Sequence, residues 1–144
     1  MTAGTRHAGR AYALQLLYAR DVDPSSDVAG AAASWADSFD LPVDDTARAF
    51  ARELVAAAAQ RAQEIDELIA GSSKNWRIDR MSRVDRNILR LGTCELLVFA
   101  SVPVKVAINE AVELAKRFGT AESSAFVNGV LDRIAKAIGR SPEA

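Results

Sequence analysis

Residues that ordinarily carry chemistry are nearly missing from this chain, which has one cysteine, Cys94, and one histidine, His7, among 144 residues. A single thiol excludes an intramolecular disulfide and suits a reducing compartment. The same scarcity leaves a His/Cys metal site without ligands, and the Glu-x-x-His pairs of di-iron bundles are absent. A Cys/His nucleophile pair would have to form from distant parts of the sequence, and Cys94 lies in the most apolar segment, where a thiol is usually buried and inert. No Gly-rich phosphate loop follows a strand, because no alternating strand pattern exists. Long hydrophobic runs are missing too. The longest, Leu96 to Val104, contains a serine, is bounded by Glu95 and Lys105, and is too short to span a bilayer. No apolar segment follows Arg6, His7 and Arg10, so a secretory signal is not expected. These absences predict a cytoplasmic protein that is not an enzyme and has no cofactor, metal or membrane span.

Helical periodicity fills the space that strands and loops leave. Helix one runs from about Thr5 to Arg20, with Leu14, Leu17 and Tyr18 recurring at helical spacing. Asp23-Pro24-Ser25-Ser26 stops it and offers caps for an alanine-rich helix over about Val28–Phe39. Pro42 marks the next turn. Asp44-Asp45 opens a long helix ending near Gly71, whose apolar stripe is Phe50, Leu54, Val55, Ala58, Ala62, Ile65, Leu68 and Ile69. Ser82 with Asp85 three residues later reads as a capping box, Asp standing for the usual Glu or Gln. The helix behind it, to about Ala100, is apolar nearly all round and is expected at the centre of the fold. Pro103 separates it from a helix that Gly119 ends. A final helix begins near Ser123 or Ser124 and buries Phe126, Val127, Val130, Leu131, Ile134 and Ile138. The expected structure is all-α: a compact bundle of about seven helices, one domain over 1–140, with 141–144 a frayed tail.

The net charge of −1 hides an asymmetry. Residues 1–20 carry three arginines and no acid, residues 21–73 carry eleven acids against three arginines, and residues 74–144 carry twelve bases against eight acids. A chain positive at both ends around an acidic middle can meet phosphate with one face and repel it with another. Arg77, Arg80, Arg83, Arg86 and Arg90 recur at three- and four-residue spacing. Any helical part of that run stacks guanidinium groups, whose planar forks suit phosphate; each could equally pair with Asp79, Asp85 or Glu95. Arg6, His7 and Arg10 make a second basic site at the start of helix one. Tyr18 and Phe126 read first as core aromatics, and Trp35 and Trp76 as packing anchors. Asn109 and Asn128 place amides on helices, and Gly129 inside a helix suggests close approach of another helix or of a ligand.

Four segments, in order over almost the whole chain, resemble the NusB family of transcription antitermination factors. They are Arg6-His7-x-x-Arg10-x-x-Ala13-Leu14-Gln15-x-Leu17-Tyr18, then Val84-Asp85-Arg86-Asn87-Ile88-Leu89-Arg90-Leu91 with Glu95-Leu96, then Val102 to Gly119, and Phe126-Val-Asn-Gly-Val-Leu-Asp132. Residues 21–45 match least. The resemblance implies an all-helical adaptor that performs no chemistry. It would bind the boxA sequence of nascent ribosomal RNA transcripts with NusE, a small-subunit ribosomal protein, and join other Nus factors on RNA polymerase. It carries the RNA-contacting arginine motif onto Arg6, His7 and Arg10, with Ala8 and Gly9 where more basic members have extra charge. Tyr18, Asp79 and Asp85 fall at positions that face NusE. Glu122 falls where an acid tempers RNA binding, and Phe126 and Asn128 flank the same RNA surface, for which Arg86 and Arg90 of the ladder are further candidates. A detached RNA-binding domain of the kind that precedes some ribosomal RNA cytosine methyltransferases, and a helical adaptor for proteins alone, are the alternatives. A monomer and a homodimer are both compatible with the sequence.

Overall fold

The structure, a computed structural model, describes residues 3–22, 44–74 and 76–140. Among these there are six α-helices, one short 3-10 turn and no strand. The all-helical expectation holds with six helices rather than about seven; the alanine-rich helix expected at 28–39, with Trp35, and the tail at 141–144 lie outside the described residues. The chain divides into two compact units, Met1–Ala56 and Ala57–Ala144.

In the first unit, α1 (Ala3–Val22) buries Ala11, Tyr12, Leu14 and Leu17. Helix α2 (Asp45–Gln60), which belongs to this unit as far as Ala56, starts where Asp44 caps it, the Ala47 amide donating to Asp44 Oδ1 at 2.8 Å. That bond satisfies one of the donors a helix start leaves over. The two helices meet closely at Gly9: a Cβ there would lie 2.8 Å from Phe50 Cδ2 and 3.0 Å from the Ala47 carbonyl. A side chain at this position would force Phe50 and the α2 backbone to shift, which accounts for Gly9, one of the two non-basic residues in the N-terminal basic run.

The long helix expected from 44 to 71 is two helices. Arg61 interrupts it with φ −118° and ψ 24°, and α3 (Ala62–Ser72) follows. Hydrogen bonds from Arg61 N to Ala57 O and from Ile65 N to Arg61 O continue across the break, so the chain bends without forming a loop. Such a bend is invisible to apolar periodicity because it preserves the stripe: Ile65 and Ile69 stay buried on α3.

In the second unit, α4 (Arg83–Val98) packs against α3, α5 (Val104–Phe118) and α6 (Ser123–Ala137), as its all-round apolar surface predicts. Ile88, Leu89, Leu91 and Leu96 are fully buried with Leu114 of α5 and Leu131 and Ile134 of α6. Gly92 allows the closest approach, since a Cβ there would sit 2.7 Å from Leu131 Cδ1. Gly119 ends α5, but not through a left-handed backbone, its φ being −96°. The space a Cβ would need is taken by Ser123 Oγ and the Ala115 carbonyl, and Ser123 Oγ accepts the Thr120 amide at 2.9 Å. Helix α6 stops at Gly139, φ +78°, with Gly139 N bonded to Lys136 O and Arg140 N to Ala135 O, a Schellman motif that needs the left-handed residue.

Candidate functional site

On α1 the N-terminal basic group separates into two kinds of residue. Arg6 and His7 are half-buried and reach the surface. Arg10 is 2% exposed, with its guanidinium 5.5 Å from the centroid of the Phe50 ring. In this position Arg10 anchors α1 to α2 by a cation–π contact and does not present its charge to solvent. Tyr18, four-fifths of the way along α1, is half-buried.

The arginine ladder does not form one stripe of available charge. Arg90 grips Asp66 of α3 with a two-pronged pair, Nε to Oδ1 at 2.9 Å and Nη2 to Oδ2 at 3.1 Å, and its Nη1 donates to Asn87 Oδ1 at 3.2 Å. Arg86 Nη1 donates to the Ile78 carbonyl at 3.2 Å. Arg77 pairs with Asp79 at 3.3 Å on the surface. Of the alternatives open in the sequence, these three take intramolecular partners, which is chemistry that any carbonyl or carboxylate at the right place supplies. Arg77, Arg80, on the 3-10 turn Ile78–Arg80, and Arg83 are the exposed members.

The second unit brings Asp85, Glu122 and Phe126 together. They line one pocket of about 330 Å³ with Trp76, Arg80, Met81 and Ser82. Asp85 stands in the first turn of α4, where the helix dipole favours an acid. Its amide donates to Ser82 Oγ at 3.1 Å, so the acceptor half of the expected capping box is formed, while Asp85 Oδ1 is buried without a hydrogen-bond partner. Glu122 precedes α6 and accepts the Thr120 hydroxyl at 3.2 Å. Phe126 is half-buried and lines the pocket. Asp79 lies in the adjoining pocket of about 380 Å³, which Trp76 also lines.

Trp76 is therefore not the packing anchor expected of it: it is 56% exposed. The signal was present in its neighbours. Ser72-Ser73-Lys74-Asn75 before it and Arg77 after it offer no apolar partner at helical spacing, so nothing local could bury an indole. At Gly129 the close approach of another helix is not found among the described residues: a Cβ there would meet only the Arg133 guanidinium, 3.6 Å away. Asn128 beside it is exposed. Cys94 is fully buried; burial, with the Glu95 charge adding to it and Arg61 opposing, pushes its thiol up to about 12. Such a thiol is neither nucleophile nor ligand at neutral pH. Among the described residues no group of three or more His, Cys, Asp or Glu side chains gathers to hold a metal, and no helix is long and apolar enough to cross a membrane.

Residues 7–136 match the family model described as NusB family. The chain is 50% identical over 137 residues to the transcription antitermination protein NusB of Sorangium cellulosum strain So ce56, covering 95% of this chain and 96% of that protein. Its fold is similar to the solved structure of T. maritima NusB, with a TM-score of 0.80 and 36% identity over 96% of this chain and 94% of that one. It is also similar, with a TM-score of 0.77 and 30% identity over 94% of this chain and 99% of that one, to a chain in the crystal structure of the antitermination factors NusB and NusE in complex with dsRNA.

Proposed function

This chain belongs to the NusB family, and from that premise we propose that it is an RNA-binding antitermination factor. It binds the boxA sequence of nascent ribosomal RNA transcripts together with NusE and keeps transcription of ribosomal operons processive. The observation that carries this reading is the likeness, over nearly the whole chain, to a protein seen with both NusE and RNA. The chain works in the cytoplasm as an adaptor and catalyses nothing; other Nus factors and RNA polymerase are reached through NusE and the transcript.

The geometry supports a division of labour. Arg6 supplies surface charge at the start of α1 with the His7 ring beside it, and Arg10 holds that segment in place from beneath. Phe126 and Asn128 on α6 contact the RNA, single strands being recognised by stacking on aromatic planes and by hydrogen bonds to base edges. Glu122 beside them repels phosphate and sets the affinity below its maximum. Tyr18, Asp79 and Asp85 face NusE, the two carboxylates offering acceptors for cationic side chains of that partner. Arg86 and Arg90 support the RNA face indirectly, by fixing α4 to the 3-10 turn and to α3. Calorimetric titration of NusE into the protein tests the partner assignment. Asp85→Lys is expected to abolish the heat of binding with the fold intact by circular dichroism; a wild-type isotherm would remove Asp85 from the interface.

A further inference from the structure

We infer that Trp76, Phe126 and Arg80 form a subsite that receives one unpaired nucleobase of the bound RNA, with the adjoining phosphate on the Arg80 side. The inference rests on the RNA-binding reading above and assigns a role to a residue that reading does not use. An indole 56% exposed is an unusual surface for water to cover, and here it is held outward by the backbone. The Trp76 amide donates to the Ser73 carbonyl at 2.9 Å, and the Ser73 hydroxyl reaches both the Trp76 carbonyl at 3.2 Å and the Ile69 carbonyl at 2.6 Å. Ser73 is itself buried, so the peptide of Trp76 is tied to the end of α3 while the ring stays free to accept a partner.

The pocket beside that ring is small and partly aromatic. At about 330 Å³ it lies at the lower end of small-molecule sites, which run from about 300 to 1,000 Å³, and a docked helix would not fit within it. Two aromatic rings, Trp76 and Phe126, line it, and a base offers each a π-face. Arg80 stands at its wall with no ion pair among the described residues, available for a phosphate oxygen. Glu122 and Asp85, also on the wall, repel phosphate, so the sugar–phosphate chain passes on the Arg80 side and the base points inward. Charge thus fixes the side on which the backbone passes.

The test uses the full chain with NusE and boxA RNA. With Trp35→Phe leaving Trp76 as the one indole of this chain, RNA is expected to quench tryptophan emission beyond a NusE-only blank. In the otherwise unchanged chain, Trp76→Ala is expected to weaken RNA binding roughly five- to hundredfold, the range for loss of one stacked base. Trp76→Phe keeps most of the affinity, and Arg80→Gln lowers the log–log salt slope by roughly 0.7. Thermal unfolding of Trp76→Ala should match the parent, since the ring is exposed. RNA affinity unaltered by Trp76→Ala, with emission unquenched, overturns the subsite and leaves the RNA-binding reading standing. Loss of NusE binding by Trp76→Ala in the absence of RNA overturns it as well, by giving the pocket to the protein partner. A parent chain that binds no RNA overturns both.

Discussion

Several arginines of the second unit are structural, and each ends on a group that would otherwise lack a partner. Arg133 Nε donates to the Ser72 carbonyl at the end of α3, 2.7 Å away. Arg140 donates to the Leu96 carbonyl in the last turn of α4 at 2.7 Å and to the Val102 carbonyl at 2.9 Å. Helix C-termini leave such carbonyls over, and a cation there also opposes the dipole. Arg140→Ala is expected to destabilise the fold by about 1.5–3 kcal/mol, the range for hydrogen bonds from a charged group; an unchanged urea midpoint would contradict this. Glu122→Gln acts oppositely on function, removing a repulsive charge from the proposed RNA face, and should tighten boxA binding in a polarisation titration with stability unchanged. Cys94 supplies a pH prediction. The folded chain keeps its thiol proton up to about 12 whereas the unfolded chain loses it near 9.0, so this contribution is complete below pH 9 and is lost as pH rises toward 12. The stability difference between wild type and Cys94→Ala should therefore shrink through that window, and a flat difference would show the thiol to be solvated. The inertness of Cys94 was legible from its apolar neighbours. The burial of Arg10 was not, because the ring that receives it, Phe50, is contributed by another helix.

At the scale of helices, the readable features were those written locally. Ser82 caps α4 as its spacing to Asp85 predicted, and Pro103 directly precedes α5. Glycine shows the limit of local reading. Gly92 and Gly129 carry the same intrinsic helix penalty, about 1 kcal/mol relative to alanine, and only tertiary neighbours distinguish them. Leu131 of α6 fills the space beside Gly92, while Gly129 faces nothing but the tip of Arg133. Gly92→Val is accordingly expected to destabilise by about 1–3 kcal/mol through overpacking. Gly129→Ala is expected to stabilise by about 0.5–1 kcal/mol. Paired denaturation curves check both, and equal shifts of the same sign would mean that α4 and α6 do not meet at Gly92. The division of the expected 44–71 helix at Arg61 escaped periodicity for the related reason that both halves keep the same buried stripe.

At the scale of the molecule, an overall charge of −1 is a poor guide to partners. Among the ladder arginines, Arg86 and Arg90 are half-buried with intramolecular partners, Arg77 pairs with Asp79 on the surface, and Arg80 and Arg83 are exposed. Fold class and family were readable because four motifs keep their order along the chain. The pocket at Trp76 was not, because its walls come from the 3-10 turn, α4 and α6, segments that only the fold assembles. The measurement that tests the central claim is fluorescence polarisation of boxA RNA and a scrambled control, each titrated with this protein alone and with NusE across a salt series. Preference for boxA, strengthened by NusE, is expected, with a log–log salt slope of roughly −3 for four or five phosphates neutralised on a single strand. Equal, weak binding of both RNAs with NusE present would contradict it.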